Sequence, residues 1–224
     1  RPQDAPQRLK AMGSDTAWLP ESDVDLHALR FAVVDLETSG GGPKAMWTRD
    51  ERFVPAAEIT EVGVVRRSGA LREDCFASLC AVEGAIPLSI QRLTGITPVL
   101  LAGAPNWEQV ALRLAEELEG RVWVAHHAPF DGAFLKAYLP EGLWRRHTLL
   151  CTRKLAKALV PEAARCSLAA LCEVLHLHNR QPHRALADAE ATAELLQILL
   201  ARAEGQGLDG PAFIAKGRVG WEKL

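Results

Sequence analysis

The chain has 224 residues, of which 48% are hydrophobic and 24% are charged, and its formal net charge is −2. This size and composition are those of one large globular domain with a substantial core. The small negative charge argues against extensive duplex binding, which needs a basic excess, but permits a protein that grips a few nucleotides at a strand end. No stretch approaches the roughly 18 consecutive apolar residues of a membrane span, and the N-terminus does not resemble a signal peptide.

Residues 1–27 lack clear periodicity, and we predict an N-terminal arm there. The following third of the chain predicts three consecutive strands, at 31–36, 59–66 and 74–81, that form an antiparallel meander. Their β-branched runs and the Ser68-Gly69 turn support this prediction. A long polar loop, rich in Gly and Pro, joins the first two strands.

The rest of the chain alternates helices with short strands, at 121–125 and 147–150. Amphipathic spacing and Pro or Gly boundaries predict helices at 87–93, 106–119, 129–138, 152–159, 167–175 and 184–204. This alternation favours parallel pairing. We therefore predict an α/β domain over residues 28–204, with a mixed five-stranded sheet flanked by helices, and a loosely patterned C-terminal tail at 205–224.

The five cysteines indicate a reducing compartment. None forms a C-x-x-C pair and their number is odd, so we predict buried free thiols, with a zinc site as the minority alternative. A cytoplasmic location is expected on this basis. The cysteines are Cys75, Cys80, Cys151, Cys166 and Cys172.

Two acids end the first predicted strand. Residues two apart share a face of a strand, so Asp35 and Glu37 lie on the same side as Phe31 and Val33. Two carboxylates at the end of an apolar face repel each other unless a cation lies between them. The alternative is that the strand ends at Val34 and that both acids are solvated.

Two further acids occupy apolar helix faces. Asp131 shares its face with Phe134, and Asp188 shares its face with Leu195. A buried carboxylate needs a partner or a metal, and acids from three separate segments suggest one shared metal site. The alternatives are that Asp131 only favours a helix N-terminus and that Asp188 pairs with Arg184.

A histidine precedes the last acid by five residues. One regular helix would separate His183 from Asp188 by about 140°, so we place His183 in the loop before the helix. There it could take a proton from a water molecule beside the metal. The alternative is an ordinary loop histidine.

Together these motifs resemble the DEDDh, or DnaQ-like, 3′–5′ exonuclease family, which includes the proofreading epsilon subunit of bacterial DNA polymerase III. The resemblance covers about residues 30–200. It rests on the order of D-x-E at 35–37, H-x-A-x-F-D at 126–131 and H-R-A-L-x-D-A at 183–189, with supporting segments at 59–65 and 86–97.

The resemblance implies a ribonuclease-H-like fold and a two-metal phosphodiesterase that uses Mg²⁺ or Mn²⁺. It assigns four metal-binding acids, Asp35, Glu37, Asp131 and Asp188, and a general base, His183. The implied product is a nucleoside 5′-monophosphate released from a 3′ end. By resemblance, five further residues lie near the terminal nucleotide: Thr38, Ser39, Thr94, His127 and Phe130.

Two departures from the family affect substrate contacts. His127 stands where the family usually has Asn, and we expect a histidine donor to replace the amide donor with little effect. The loop at 39–58 is longer than expected and contains Lys44, Trp47, Arg49 and Arg52. Such residues can hold a single strand, and a solvated insertion is the alternative.

The expected partner is the 3′ end of single-stranded DNA, with a DNA polymerase subunit as a further candidate. An exoribonuclease is the alternative within the same class. A catalytically silent nucleic-acid-binding module is the alternative from a different class, although this chain retains all four acids and the histidine.

Overall fold

The computed structural model describes residues 24–224. Residues 1–23, which make up most of the predicted arm, lie outside the described residues. Leu26–Ala28 form a short 3₁₀ helix with Leu26 buried, so the boundary predicted at residue 27 falls within this helix.

The described residues contain eight strands. They are β1 (Arg30–Thr38), β2 (Met46–Trp47), β3 (Phe53–Val54), β4 (Ile59–Ser68), β5 (Leu71–Leu79), β6 (Val122–Ala125), β7 (Leu149–Cys151) and β8 (Arg218–Val219). Six of them form one sheet in the order β5-β4-β1-β6-β7-β8. The first three pair antiparallel, β1-β6-β7 pair parallel, and β8 returns antiparallel. The predicted mixed sheet is therefore confirmed.

The described helices include all six predicted ones and three more, at 98–101, 141–145 and 210–217, that were not predicted. They are α1 (Leu88–Thr94), α2 (Pro98–Leu101), α3 (Trp107–Leu118), α4 (Ala128–Tyr138), α5 (Glu141–Arg145), α6 (Thr152–Leu159), α7 (Leu168–Leu175), α8 (Ala185–Gly205) and α9 (Gly210–Gly217). Local sequence sets their ends. Asn106 and Gln109 form a capping box at the start of α3, and Gly95 ends α1 with φ +72°. Within residues 24–224, no helix has the length and apolar character needed to cross a membrane.

Two predictions about strands were incomplete. The sheet has six strands rather than five, because Arg218–Val219 pairs with β7. The loop after β1 also contains a hairpin, β2-β3. Two-residue strands are too short for an alternating pattern, so neither could be recognised from periodicity.

The segment at 205–224, predicted as a loosely patterned tail, is folded. After Gly205 the chain forms α9, which begins at the side-chain cap of Asp209, and Phe213 is fully buried. Trp221 donates its indole N–H to the carbonyl of His147 at 2.8 Å. This segment therefore packs as part of the domain.

The sheet separates two apolar layers, and β1 contributes to both. Ala32, Val34 and Leu36 pack on the side of α3 and α4. Phe31 and Val33 pack on the other side, with the apolar face of α8. Because strand residues alternate, the acids at positions 35 and 37 continue the face that looks toward α8.

Candidate active site

Parallel pairing brings two of the predicted motifs to one edge of the sheet. Val33 of β1 lies opposite Val124 of β6, so the carboxyl ends of both strands point the same way. β1 continues to Asp35 and Glu37, while β6 ends and α4 begins three residues later. The first turn of α4, which carries Asp131, therefore lies beside the end of β1.

Asp131 is anchored directly to β1. It is only 4% exposed, and its Oδ1 accepts a hydrogen bond from the backbone N–H of Leu36 at 3.1 Å. Leu36 lies between the two acids of β1. This bond therefore fixes Asp131 beside Asp35 and Glu37 and does more than satisfy a helix N-terminus.

Asp188 comes from the first turn of α8 and is held by two donors. Its Oδ1 accepts from the side-chain amide of Asn179 at 2.5 Å, and its Oδ2 accepts from the backbone N–H of His183 at 3.1 Å. The alternative pairing with Arg184 does not occur, because that guanidinium binds Glu61. No local pattern in the sequence indicates this role of Asn179.

His183 lies in the loop before α8, as predicted, and its side chain is exposed. Its φ of +65° is unusual for a residue with a side chain and turns the chain sharply into the helix. Ligand atoms of Glu37, His183 and Asp188 lie within 4.8 Å of one another. The imidazole is therefore beside the acids and open to solvent.

Glu61 of β4 positions the N-terminus of α8, and sequence reasoning did not assign it this role. It is 5% exposed, and its carboxylate binds Arg184 through both the Nε and terminal amine groups, at 2.6–3.2 Å. It also accepts from the backbone N–H of Ala185 at 2.9 Å. The loop carrying His183 is therefore tied to the strand next to β1.

Gly63 allows α8 to approach the sheet this closely. A Cβ at this position would lie 2.5 Å from the carbonyl oxygen of Ala185 and the amide nitrogen of Leu186. A backbone contact this close leaves no room for a side chain. The strand and the helix therefore touch at the turn that presents His183 and Asp188.

The clustered acids strongly perturb one another. Burial, then the charges of Asp131, Asp188 and Glu37, raise the pKa of Asp35 well above its usual range. Burial and the charges of Asp188 and Glu61 raise the pKa of Glu37 to about 8. Burial raises the pKa of Asp131 to about 7, against the opposing effect of the Leu36 hydrogen bond.

This donor set fits divalent cations. The four acids offer hard oxygen ligands, and the raised pKa values of Asp35, Glu37 and Asp131 indicate that a full set of negative charges is unfavourable without added positive charge. The alternative that Asp35 and Glu37 are solvated loop acids is wrong, because both lie within β1 and are half-buried. Glu37 and Asp188 belong to the group with close ligand atoms, and charge effects tie Asp35 and Asp131 to the same cluster, so these four acids could hold the cations.

The five predicted nucleotide contacts have mostly local partners. Thr38 donates to the carbonyl of Gly40 at 2.6 Å, and Ser39 accepts from the N–H of Glu58 at 2.9 Å. Thr94 bonds to the backbone of its own helix end. Their contact with substrate stays a prediction.

The other two have different surroundings. Phe130 packs against Phe134, with ring centroids 5.2 Å apart, at the edge of the core. His127 is exposed at the start of α4. Its neighbour His126 is structural: its ring contacts the Thr152 hydroxyl and the Cys166 carbonyl, and burial lowers its pKa to about 4. Contact of Phe130 and His127 with a nucleotide also stays a prediction.

The cysteines form no disulfide, as expected. Cys75 is exposed and Cys166 is half-buried, so the prediction that all five are buried was wrong for these two. Both lie where the chain is less covered: Cys75 on the edge strand β5 and Cys166 just before α7.

An α/β domain whose separate segments gather four acids and a histidine at one sheet edge is a nuclease-like architecture, and comparisons with known proteins agree. A family model described as "Exonuclease" (RNase_T) matches residues 32–196. The chain therefore belongs to the exonuclease (RNase_T) family, and the resemblance to its DnaQ-like branch is confirmed.

Relatives of known sequence include longer proteins. The chain is 36% identical over 202 residues to a putative bifunctional exonuclease/endonuclease protein of Mycobacterium tuberculosis, covering 88% of this chain and 30% of that protein. It is 32% identical over 172 residues to the DNA polymerase III subunit epsilon of Aquifex aeolicus, covering 76% of this chain and 80% of that subunit.

Solved structures share the fold. Exonuclease X in complex with 5′ overhanging duplex DNA has a TM-score of 0.60 and 24% identity, covering 84% of this chain and 98% of that one. Escherichia coli exonuclease I in complex with a dT13 oligonucleotide has a TM-score of 0.64 and 17% identity, covering 80% of this chain and 42% of that one.

Proposed function

We propose that this chain is a metal-dependent 3′–5′ exonuclease that hydrolyses the terminal phosphodiester of single-stranded DNA and releases nucleoside 5′-monophosphates. The observation that carries the proposal is the convergence of four acids from β1, α4 and α8 beside an accessible histidine. Membership of the exonuclease family supports the reaction class. A silent binding module would not need to retain this costly cluster of charges.

Two divalent cations, Mg²⁺ or Mn²⁺, are the proposed cofactors, and when bound they would polarise the scissile phosphate and stabilise charge on the attacking and leaving oxygens. Asp35, Glu37, Asp131 and Asp188 are the proposed ligands. The bond from Leu36 orients Asp131, and Asn179 and the N–H of His183 orient Asp188. These contacts keep the carboxylates in place before the ions arrive.

His183 is the proposed general base. Its ring lies close to Glu37 and Asp188 and is open to solvent, so it can accept the proton of the attacking water and pass it to bulk water. The short loop that carries it is held by two contacts, from the N–H of His183 to Asp188 and from the adjacent Arg184 to Glu61. This arrangement supports general base catalysis, which typically contributes 10²–10⁴-fold to the rate.

DNA is the substrate that the relatives favour, since they include the polymerase III epsilon subunit and the "3'-5' exonuclease DinG" of Bacillus subtilis, 32% identical over 173 residues. The polymerase relative makes a DNA polymerase the protein partner to test. Free thiols fit a reducing compartment, and we place the protein in the cytoplasm.

One digest tests direction, substrate and metal together. DNA and RNA oligonucleotides of one sequence, labelled at either the 3′ or the 5′ end, are incubated with Mg²⁺, Mn²⁺ or EDTA. We expect immediate release of the 3′ label as a mononucleotide and stepwise shortening of the 5′-labelled strand, on DNA and only with a divalent cation. Preference for RNA would establish the exoribonuclease instead, and binding without any release would establish the silent module.

A further inference from the structure

A small hairpin with exposed aromatic rings projects from the loop after β1. We define the aromatic hairpin as β2, β3 and the turn between them, residues 46–54. Its four apolar side chains are largely exposed: Met46 58%, Trp47 69%, Phe53 56% and Val54 40%. Such a patch is unfavourable in water unless something covers it, and an isolated two-stranded hairpin is marginal on its own.

The hairpin nevertheless has a defined shape. Trp47 lies opposite Phe53 in the register, and their ring centroids are 5.4 Å apart at 58°. In the turn, the N–H of Thr48 donates to the carbonyl of Arg52 at 2.9 Å, and the hydroxyl of Thr48 accepts from the N–H of Arg52 at 3.0 Å. The two rings are thus held as a pair on one face.

The two faces of the hairpin have different surroundings. Neighbouring strand residues point to opposite sides, so Met46 and Val54 lie opposite the aromatic pair. Met46 lines a groove of about 560 Å³ whose far wall is built from α4 and α5, including Trp144. The face that carries Trp47 and Phe53 therefore points away from this groove.

The hairpin is rooted at the acid cluster. The loop that carries it leaves β1 at Thr38, directly after Glu37, and is closed by reciprocal bonds between Ser39 and Glu58, each 2.9 Å. A further bond joins the N–H of Ala57 to the carbonyl of Gly42 at 2.8 Å. The loop therefore begins and ends beside the acid cluster, where the 3′ end of a bound DNA strand would be cleaved.

The local charge favours a nucleic-acid occupant. The loop at 39–58 has three basic side chains, Lys44, Arg49 and Arg52, and three acids, Asp50, Glu51 and Glu58. The Glu58 carboxylate is occupied by the backbone N–H groups of Glu83 and Gly84. Cations beside exposed aromatic rings are the means by which single strands are held, through phosphate contacts and base stacking.

We propose that the aromatic hairpin is a stacking site for a nucleobase of the single strand whose 3′ end enters the acid cluster. This proposal rests on the proposed exonuclease function and adds a binding contact upstream of the cleaved bond. Trp47 is the stacking platform, and Phe53 supports its ring from β3. The nearby basic side chains contact the phosphates.

Substrates of different length distinguish the proposed stacking contact from catalysis at the acid cluster. Trp47→Ala and Phe53→Ala are compared with wild type on a 20-nucleotide strand, on a trinucleotide and on the p-nitrophenyl ester of thymidine 5′-monophosphate, all with Mn²⁺. Leu71→Ala is the matched control, because Leu71 is 69% exposed and lies at the opposite end of the sheet. Fluorescence anisotropy with a labelled 20-nucleotide strand in EDTA gives affinity without turnover.

We expect Trp47→Ala to weaken binding of the long strand and raise its KM by about 5- to 150-fold, which is the loss of one stacked base at about 1–3 kcal/mol. Turnover of the trinucleotide and the ester should not change, Trp47→Phe should restore most of the loss, and Leu71→Ala should match wild type. Unchanged long-strand affinity in Trp47→Ala would overturn the proposal and point to a protein on this hairpin. An equal loss of activity on the p-nitrophenyl ester would also overturn the proposal.

The two proposals can fail separately. If the wild-type protein releases no nucleotide and does not hydrolyse the ester, the exonuclease proposal fails, while anisotropy in EDTA still reports whether Trp47 binds a strand.

Discussion

The close contact between β4 and α8 predicts that one added methyl group will displace the turn that carries His183 and Asp188. In Gly63→Ala the new Cβ would lie 2.5 Å from backbone atoms of Ala185 and Leu186, whereas ordinary contacts are about 3.5–4.0 Å. The helix start must therefore move by about 1 Å. Because neither contacting atom belongs to a flexible side chain, the strand and the helix must separate.

The expected consequence is large for activity and moderate for stability. A displacement of about 1 Å at positioned catalytic groups costs about 10²-fold in rate, or about 2.7 kcal/mol in activation free energy. Overpacking costs about 1–3 kcal/mol in the free energy of unfolding. Nuclease rates on a 3′-labelled DNA strand and urea unfolding measure the two effects.

Gly205→Ala is the matched control, because it places the same methyl group at the other end of the same helix, where no atom lies within 4 Å. It should retain full activity and equal or slightly greater stability. If Gly63→Ala were as active and as stable as Gly205→Ala, the claim that this contact positions His183 and Asp188 would be refuted.

Three further predictions concern charge. Arg184→Ala should leave Glu61 without its charged partner and lower the free energy of unfolding, measured in urea titrations, by about 3 kcal/mol. This is the low end for breaking a buried ion pair, because Arg184 is partly exposed. A decrease below about 1 kcal/mol would contradict the prediction. Without divalent cations, thermal stability should fall as the pH rises from about 4 to above 8. The reason is that the folded-state pKa values of Glu37 and Asp131 are raised to about 8 and about 7, from ordinary values of 4.5 and 3.8. Mn²⁺ should reduce this fall, and a flat pH profile would contradict the claim that the acids repel one another in the folded state. His183→Ala should lower kcat by about 10²–10⁴-fold while Mn²⁺ still raises the melting temperature, and full activity at neutral pH would remove the base assignment.

The sequence was informative where signals are local. Boundary residues such as Pro129 and Gly95 predicted the helix ends within one or two residues. The acids were recognisable because each interrupts an apolar face, which is a pattern of spacing on one strand or one helix.

What the sequence missed depends on distant contacts. Glu61 and Arg184 are 123 residues apart, and nothing in either segment indicates that a buried carboxylate meets that guanidinium. Asn179 is an ordinary loop residue until the fold brings it to Asp188. The strand β8 forms only because the chain after α9 reaches the open edge of β7.

The central claim, that acids from three segments form one cation site, is tested most directly by calorimetric titration with Mn²⁺. Asp131→Asn keeps the shape of the side chain and an acceptor for the N–H of Leu36, and removes only the charge. Asp209→Asn is the control, since Asp209 is an exposed helix cap that asparagine replaces well. We predict that wild type and Asp209→Asn bind Mn²⁺ alike and that Asp131→Asn, still folded, loses most of the affinity. Equal Mn²⁺ binding by all three proteins would contradict the account.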